Sequence, residues 1–323
     1  MRRRSTTAKL ATMVGAAGIV LVGLVAIPGV SQAAKAGKAK AGPSYYLSIG
    51  DSYSVGYQPV GNGASGVATS GYTAVVAKKE KLQLENFGCG GATTASLLTA
   101  LGCTESGYGP PAATDGVSYD GYTQEQAAVN FIDTPANAGK VKLITVSIGG
   151  NDVTACARQA TLALILACVE AADTSITTNV TSLVSTLDTA LAANGDTTAK
   201  IVGLTYPDVI LGSYVNPGGA SGQTLATASV AAFDSLINPT LKAAYTSEPN
   251  GSFVDITQAP YKLATQGDDT AQTTTVKLKP YGVVPVAVWE ICKLTYYCTL
   301  NNIHANTKGY DFIGKFIVAQ LAA

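Results

Sequence analysis

Tyr45-Tyr46-Leu47-Ser48-Ile49-Gly50-Asp51-Ser52-Tyr53-Ser54 is an apolar run, strand-like in composition, that stops at three residues suited to a tight turn. A strand ending this way lifts the Ser52 hydroxyl to the carboxyl edge of a sheet, where open α/β folds place their sites. Serine becomes a useful nucleophile once a neighbouring base takes its proton, and histidine is the usual base near neutral pH. The chain has one histidine, in Leu300-Asn301-Asn302-Ile303-His304-Ala305-Asn306-Thr307-Lys308-Gly309-Tyr310. It lies between a cysteine-bounded loop and an apolar helical segment.

Two further stretches share this design. Asn86-Phe87-Gly88-Cys89-Gly90-Gly91-Ala92-Thr93 follows a predicted strand, and its glycines let backbone amides approach a substrate closely. Val146-Ser147-Ile148-Gly149-Gly150-Asn151-Asp152 is another apolar run, whose asparagine amide can donate to a developing oxyanion.

Between these stretches, hydrophobic periodicity predicts helices over Tyr72–Leu82, Gln124–Ile132, Ile176 to about Gly195, Thr224–Tyr245 with a bend or break at Pro239, and Lys308–Leu321. Strands are predicted through Leu84 and Phe87, and over Val141–Ile148, Lys200–Thr205 and Gly251–Ile256. Strands alternating with helices define an α/β fold: one domain, a three-layer α/β/α sandwich with a central parallel sheet. The segments Cys103–Gly121 and Leu263–Val284 are read as long loops walling a substrate cleft.

Hydrophobic residues make up 47% of the 323 residues and charged ones 13%, well below the usual share of about 25%. Arg2, Arg3, Arg4 and Lys9 precede an apolar run from Leu10 to Val30, followed by Ser31-Gln32-Ala33. This reads as a secretory signal peptide over 1–33, with a disordered Ala/Gly/Lys tail over 34–43 and the folded domain over 44–323. A retained membrane anchor is the competing reading, which Pro28 and the small-residue site disfavour. Cleavage removes four of the 21 basic residues and none of the 21 acidic ones, leaving a net charge of −4. Such a mildly acidic chain without basic runs excludes nucleic acid and anionic membranes as partners, and no stable membrane insertion is expected after cleavage. With no Cys-x-x-Cys and a single histidine, no metal site is expected.

The four stretches, in the order Gly-Asp-Ser, Gly, Gly-Asn-Asp, His, resemble those of the SGNH (GDSL-type) hydrolases, in particular their secreted actinobacterial lipase and esterase branch. The resemblance runs from about Ser44 to the C-terminus and implies a flavodoxin-like sandwich in an extracellular serine ester hydrolase without a cofactor. It implies that Ser52 is the nucleophile and His304 the base, with an oxyanion hole formed by the amides of Ser52 and Gly91 and the side chain of Asn151. The expected partner is an ester or lipid substrate, met by a monomer. Asp51 and Asp152 are expected to hold turns. Phospholipase A and carbohydrate deacetylase chemistry fit the same residues, and a catalytically silent extracellular binding module is the reading from a different class.

The six cysteines, Cys89, Cys103, Cys156, Cys168, Cys292 and Cys298, are an even number in an exported chain, and allow 15 connectivities. Consecutive pairing closes three short loops and is also what the resemblance implies. One departure stands out. The family pattern has an aspartate three residues before the histidine and a proline after it, where this chain has Asn301 and Ala305. Asn301, through its main-chain carbonyl or Oδ1, is expected to orient His304 in a Ser–His dyad.

Overall fold

The strand β1 (Tyr45–Gly50) sends Leu47 and Ile49 to one side of a sheet and Tyr46 and Ser48 to the other, all fully buried. That pattern requires cover on both faces. In this computed structural model, which describes residues 42–59, 66–103, 112–114, 116–258 and 274–323, the cover is helical. The leader over 1–33 and residues 34–41 of the tail lie outside the described residues, as do 104–111, 115 and 263–273 of the two long loops.

After β1 the chain forms α1 (Ser52–Val55), α2 (Gly71–Glu80), β2 (Gln83–Asn86), α3 (Thr94–Thr99), α4 (Gln124–Asp133), β3 (Val141–Ser147), α5 (Gly150–Thr154) and α6 (Leu162–Ala193). Then come β4 (Lys200–Leu204), α7 (Gly219–Ala232), α8 (Asn238–Tyr245), β5 (Gly251–Val254), β6 (Thr275–Leu278), β7 (Gly282–Pro285), α9 (Val286–Leu294), α10 (Tyr297–Leu300) and α11 (Thr307–Leu321). The main sheet is ordered β2-β1-β3-β4-β5 with every pair parallel. One face packs Leu47, Ile49, Ile144 and Ile201 against apolar residues of α3, α4, α6 and α8. The other packs Tyr46, Leu143, Val202 and Val254 against α2 and α11. The fold is the three-layer α/β/α sandwich.

Strand order places the site. From β1 the chain steps outward to β2 and then crosses back to β3 on the other flank, so a crevice opens at the carboxyl ends of β1 and β3. The two ends meet closely: the Asp51 amide donates to the Ser147 carbonyl at 3.0 Å. Gly50 has φ +145°, and a Cβ there would sit 2.2 Å from the same carbonyl oxygen, so only glycine fits.

Two helices depart from their expected limits. α6 begins at Leu162, not near Ile176; its first two turns carry Leu162, Ile165, Leu166 and Val169, which line an apolar cleft. α7 begins at Gly219 and continues through a π-turn, Phe233–Ile237, into α8. The Asn238 amide reaches back five residues to the Phe233 carbonyl. Pro239 follows immediately; it has no N–H, and its ring would crowd the carbonyl of Ser235. The proline is absorbed as one wide turn, where the sequence predicts a bend or break. The segment read as a loop up to Val284 includes an antiparallel hairpin of β6 and β7.

Candidate active site

Ser52 is the first residue of α1, and the preceding Asp51 caps that helix by accepting the Tyr53 amide at 2.9 Å. The helix lasts one turn before Gly56 closes it in the left-handed conformation. Strand, cap and short helix thus hold the serine at the crevice with 9% of its surface exposed.

His304 lies 252 residues away in the loop between α10 and α11, with Nε2 2.8 Å from Ser52 Oγ. Its loop is tied down on both sides. The Tyr296 amide donates to the His304 carbonyl at 3.0 Å, and the Tyr53 hydroxyl donates to the Ile303 carbonyl at 2.7 Å. The Tyr57 and Tyr53 rings lie 4.4 and 5.9 Å from the imidazole.

The residue that orients the ring is Asn302, not Asn301. Asn302 Oδ1 is 3.1 Å from the His304 backbone nitrogen and 2.7 Å from His304 Nδ1. A backbone N–H can only donate, so the amide atom facing it is the oxygen. Nδ1 bonded to that oxygen must then carry a proton, which leaves Nε2 bare toward Ser52. Asn301 is exposed and ends α10 in the left-handed conformation, φ +51°. The reason is local: an asparagine side chain naturally reaches the N–H two residues ahead, which selects position 302. An asparagine two residues before the histidine was the available signal.

Burial alone pushes the His304 pKa down to about 3. In the residue before Ser52, burial pushes Asp51 up to about 7, overcoming the hydrogen bonds it accepts from the Tyr206 hydroxyl (2.6 Å) and the Tyr53 amide. The linkage signs are opposite. His304 withholds a proton that the unfolded chain binds below 6.5, so its contribution to stability falls as pH drops from 6.5 toward 3. Asp51 retains a proton that the unfolded chain loses above 3.8, so its contribution falls as pH rises from 3.8 toward 7. The two offset each other where the windows overlap.

Activity follows His304 alone if it must be neutral to act as base. The acid limb of kcat/KM is then expected near pH 3–4 instead of near 6.5. A pH–rate profile on a neutral ester checks this, and a midpoint near 6.5 contradicts it.

Asn151 stands on α5, just after the carboxyl end of β3, where Gly149 turns the chain with φ +107°. Its Nδ2 donates to the Ala92 carbonyl at 2.8 Å and faces Asp51 Oδ2 at 3.4 Å. Gly91, with φ +83°, lies in the exposed turn directly before Ala92. Asp152 ties the same turn to α5: it accepts the Thr94 amide at 3.0 Å and the Thr94 hydroxyl at 2.7 Å. Asn179 of α6 donates to that hydroxyl at 3.0 Å. Asp152 thus bonds to the turn carrying Gly91, and Asp51 caps α1 beneath Ser52.

The six cysteines form Cys89–Cys103, Cys156–Cys168 and Cys292–Cys298, closing separations of 14, 12 and 6 residues. Each is close in sequence to a site segment: the Gly91 turn, α5, and the Asn302–His304 loop. Among the described residues no group of three or more His, Cys, Asp or Glu could hold a metal ion.

An apolar cleft opens beside Ser52, walled by α6, α7 and α8 and by Tyr206, Val209 and Ile210 after β4. The described parts of the loops expected to wall it, 103, 112–114, 116–121 and 274–284, do not line it. Within the first of them Tyr119 is buried against Phe87, and Tyr122, just after it, is half exposed.

A serine hydroxyl and an imidazole in contact at the switch point of a parallel sheet is a layout that serine hydrolases use. The chain belongs to the GDSL-like lipase/acylhydrolase family, whose model matches residues 46–317. Members of that family hydrolyse esters. No curated protein matches the chain in sequence. Among solved structures it is similar to the lipase Lip_vut3 from a goat rumen metagenome, at 15% identity and a TM-score of 0.47, over 85% of this chain and 96% of that one. It is also similar to the YxiM protein of Bacillus subtilis (12% identity, TM-score 0.45, 87% and 56%). A third is Axe2, an acetylxylan esterase from Geobacillus stearothermophilus (15% identity, TM-score 0.33, 87% and 94%).

Proposed function

We propose that this protein is a secreted serine carboxylic ester hydrolase of the lipase/esterase type, from the actinobacterial branch of the SGNH hydrolases. The observation that carries the reading is the 2.8 Å contact of Ser52 Oγ with the bare Nε2 of His304. Ser52 attacks the ester carbonyl carbon while Nε2 takes its proton. The carbonyl oxygen becomes an oxyanion, met by the amides of Ser52 and Gly91 and by Asn151 Nδ2, which turns to it the N–H now spent on the long 3.4 Å bond to Asp51. Collapse breaks the bond to the alcohol, which leaves with the proton from Nε2 and gives an acyl-Ser52 intermediate. Water then repeats the cycle and releases the acid. The Asn302 oxygen holds Nδ1–H throughout and steadies the imidazolium by a dipole where related sites use a charge. The signal-like leader and the three disulfides support export.

A silent binding module is disfavoured by the same contact, because a fold kept only for binding has no need of a base with a fixed tautomer against Ser52. An alkyl fluorophosphonate separates the two readings. One adduct per chain, on Ser52, is expected by mass spectrometry, together with loss of p-nitrophenyl ester hydrolysis. A folded, oxidised protein that neither hydrolyses esters nor labels would leave the binding module.

A further inference from the structure

The apolar cleft beside Ser52 runs between α6 and the α7–α8 wall and is open to solvent. Leu162, 41% exposed, stands at the mouth, while Ile176, Ile237 and Leu241 are buried. Its polar groups are concentrated around Ser52, and the one hydroxyl on the α7 wall, Ser229, is engaged with Asp208 at 2.7 Å. A polyol entering such a cleft would give up hydrogen bonds to water without replacement. A hydrocarbon chain would gain roughly fourfold in binding for each methylene buried.

The wall formed by α7 and α8 is shaped by the π-turn. At about 100° per residue, Leu225, Ser229 and Ala232 share one helix face, within about 60°. On an uninterrupted α-helix Ile237 and Leu241 would lie about 120° and 160° from Leu225, turned away from the cleft. The extra residue of the π-turn takes back about 100° and returns both to the face that lines the cleft. Their position is pinned. Asn238 bonds to Thr205, Asp255 and Thr257 at 2.9–3.0 Å, and Thr240 donates to Asp173 of α6 at 2.8 Å.

We propose that this cleft receives the acyl chain of a medium- to long-chain ester, and that Ile237 and Leu241, presented by the π-turn, are its floor and set the longest chain it admits. This rests on Ser52 as the acyl acceptor.

The test is kcat/KM across p-nitrophenyl esters from acetate to palmitate. Each added methylene is expected to raise it roughly fourfold until the floor is reached. In Ile165→Trp, which fills the cleft from a partly exposed position on α6, the decanoate-to-acetate ratio is expected to fall at least about tenfold. Ile237→Ala is expected to move the optimum to longer chains. A wild-type optimum at acetate, with Ser52→Ala inactive, would overturn the proposal while leaving the catalytic reading intact. So would an unchanged ratio in Ile165→Trp, and an unmoved optimum in a folded Ile237→Ala would remove the floor. Should no ester be hydrolysed, a fluorescent fatty acid is titrated into Ser52→Ala. Saturable binding weakened by Ile165→Trp supports the cleft as an acyl site, and absence of binding ends it.

Discussion

Replacing Ser52 with alanine is expected to lower kcat toward a soluble ester by about 10⁶, with His304→Ala falling to the same floor. The double variant should be no worse than either single one. The argument is cooperative. Nε2 at 2.8 Å has no proton to take once Oγ is gone, and Oγ has no base once the ring is gone. Each deletion therefore removes the same step. A residual rate about 10³–10⁴ above water is expected from the remaining oxyanion donors and binding. Losses that add in the double variant would show that the two residues act separately, and would sink the dyad. Circular dichroism on each variant separates chemistry from folding.

Asn302→Leu is expected to lower kcat by about 10²–10⁴ with KM little changed, because losing the acceptor at Nδ1 frees the ring to take the wrong tautomer. The neighbouring change is the control. Asn301→Ala should keep activity within about twofold and cost about 1–2 kcal/mol of stability, since Asn301 holds a left-handed conformation that alanine resists. Asn302→Asp should retain activity and bring the acid limb of the pH profile up toward the ordinary histidine range, because a carboxylate favours the imidazolium. A larger activity loss at 301 than at 302 would refute the assignment.

The contrast between those two asparagines marks where the sequence stops being readable. Ser52 and Asn151 follow apolar strands, and strand ends are legible from period and turn chemistry. The parallel order follows from the alternation of elements, and β3 and β4 end within a residue of their expected limits. Asn302 is different: its role depends on which side chain of a short loop turns inward, and a family spacing pointed one residue too early. The cleft was illegible for another reason. Its walls are chiefly apolar residues on helices, which periodicity reads as core, and the segments expected as walls were picked as long loops, by their position in the chain. Nothing in Phe233–Ile237 announces a π-turn except Pro239 shortly after it, which reads equally well as a break.

The chain's one histidine is the one that touches Ser52. Provided it is purified without a polyhistidine tag, the protein carries its own isotopic reporter. Every imidazole resonance in a histidine-labelled sample belongs to His304, with no assignment needed. A protonated Nδ1 and an unprotonated Nε2 give distinct nitrogen shifts, so the tautomer held by Asn302, its loss on titration and its response to a bound phosphonate can be followed as a single pair of signals. Few sites of this kind can be watched through one residue that is, spectroscopically, alone.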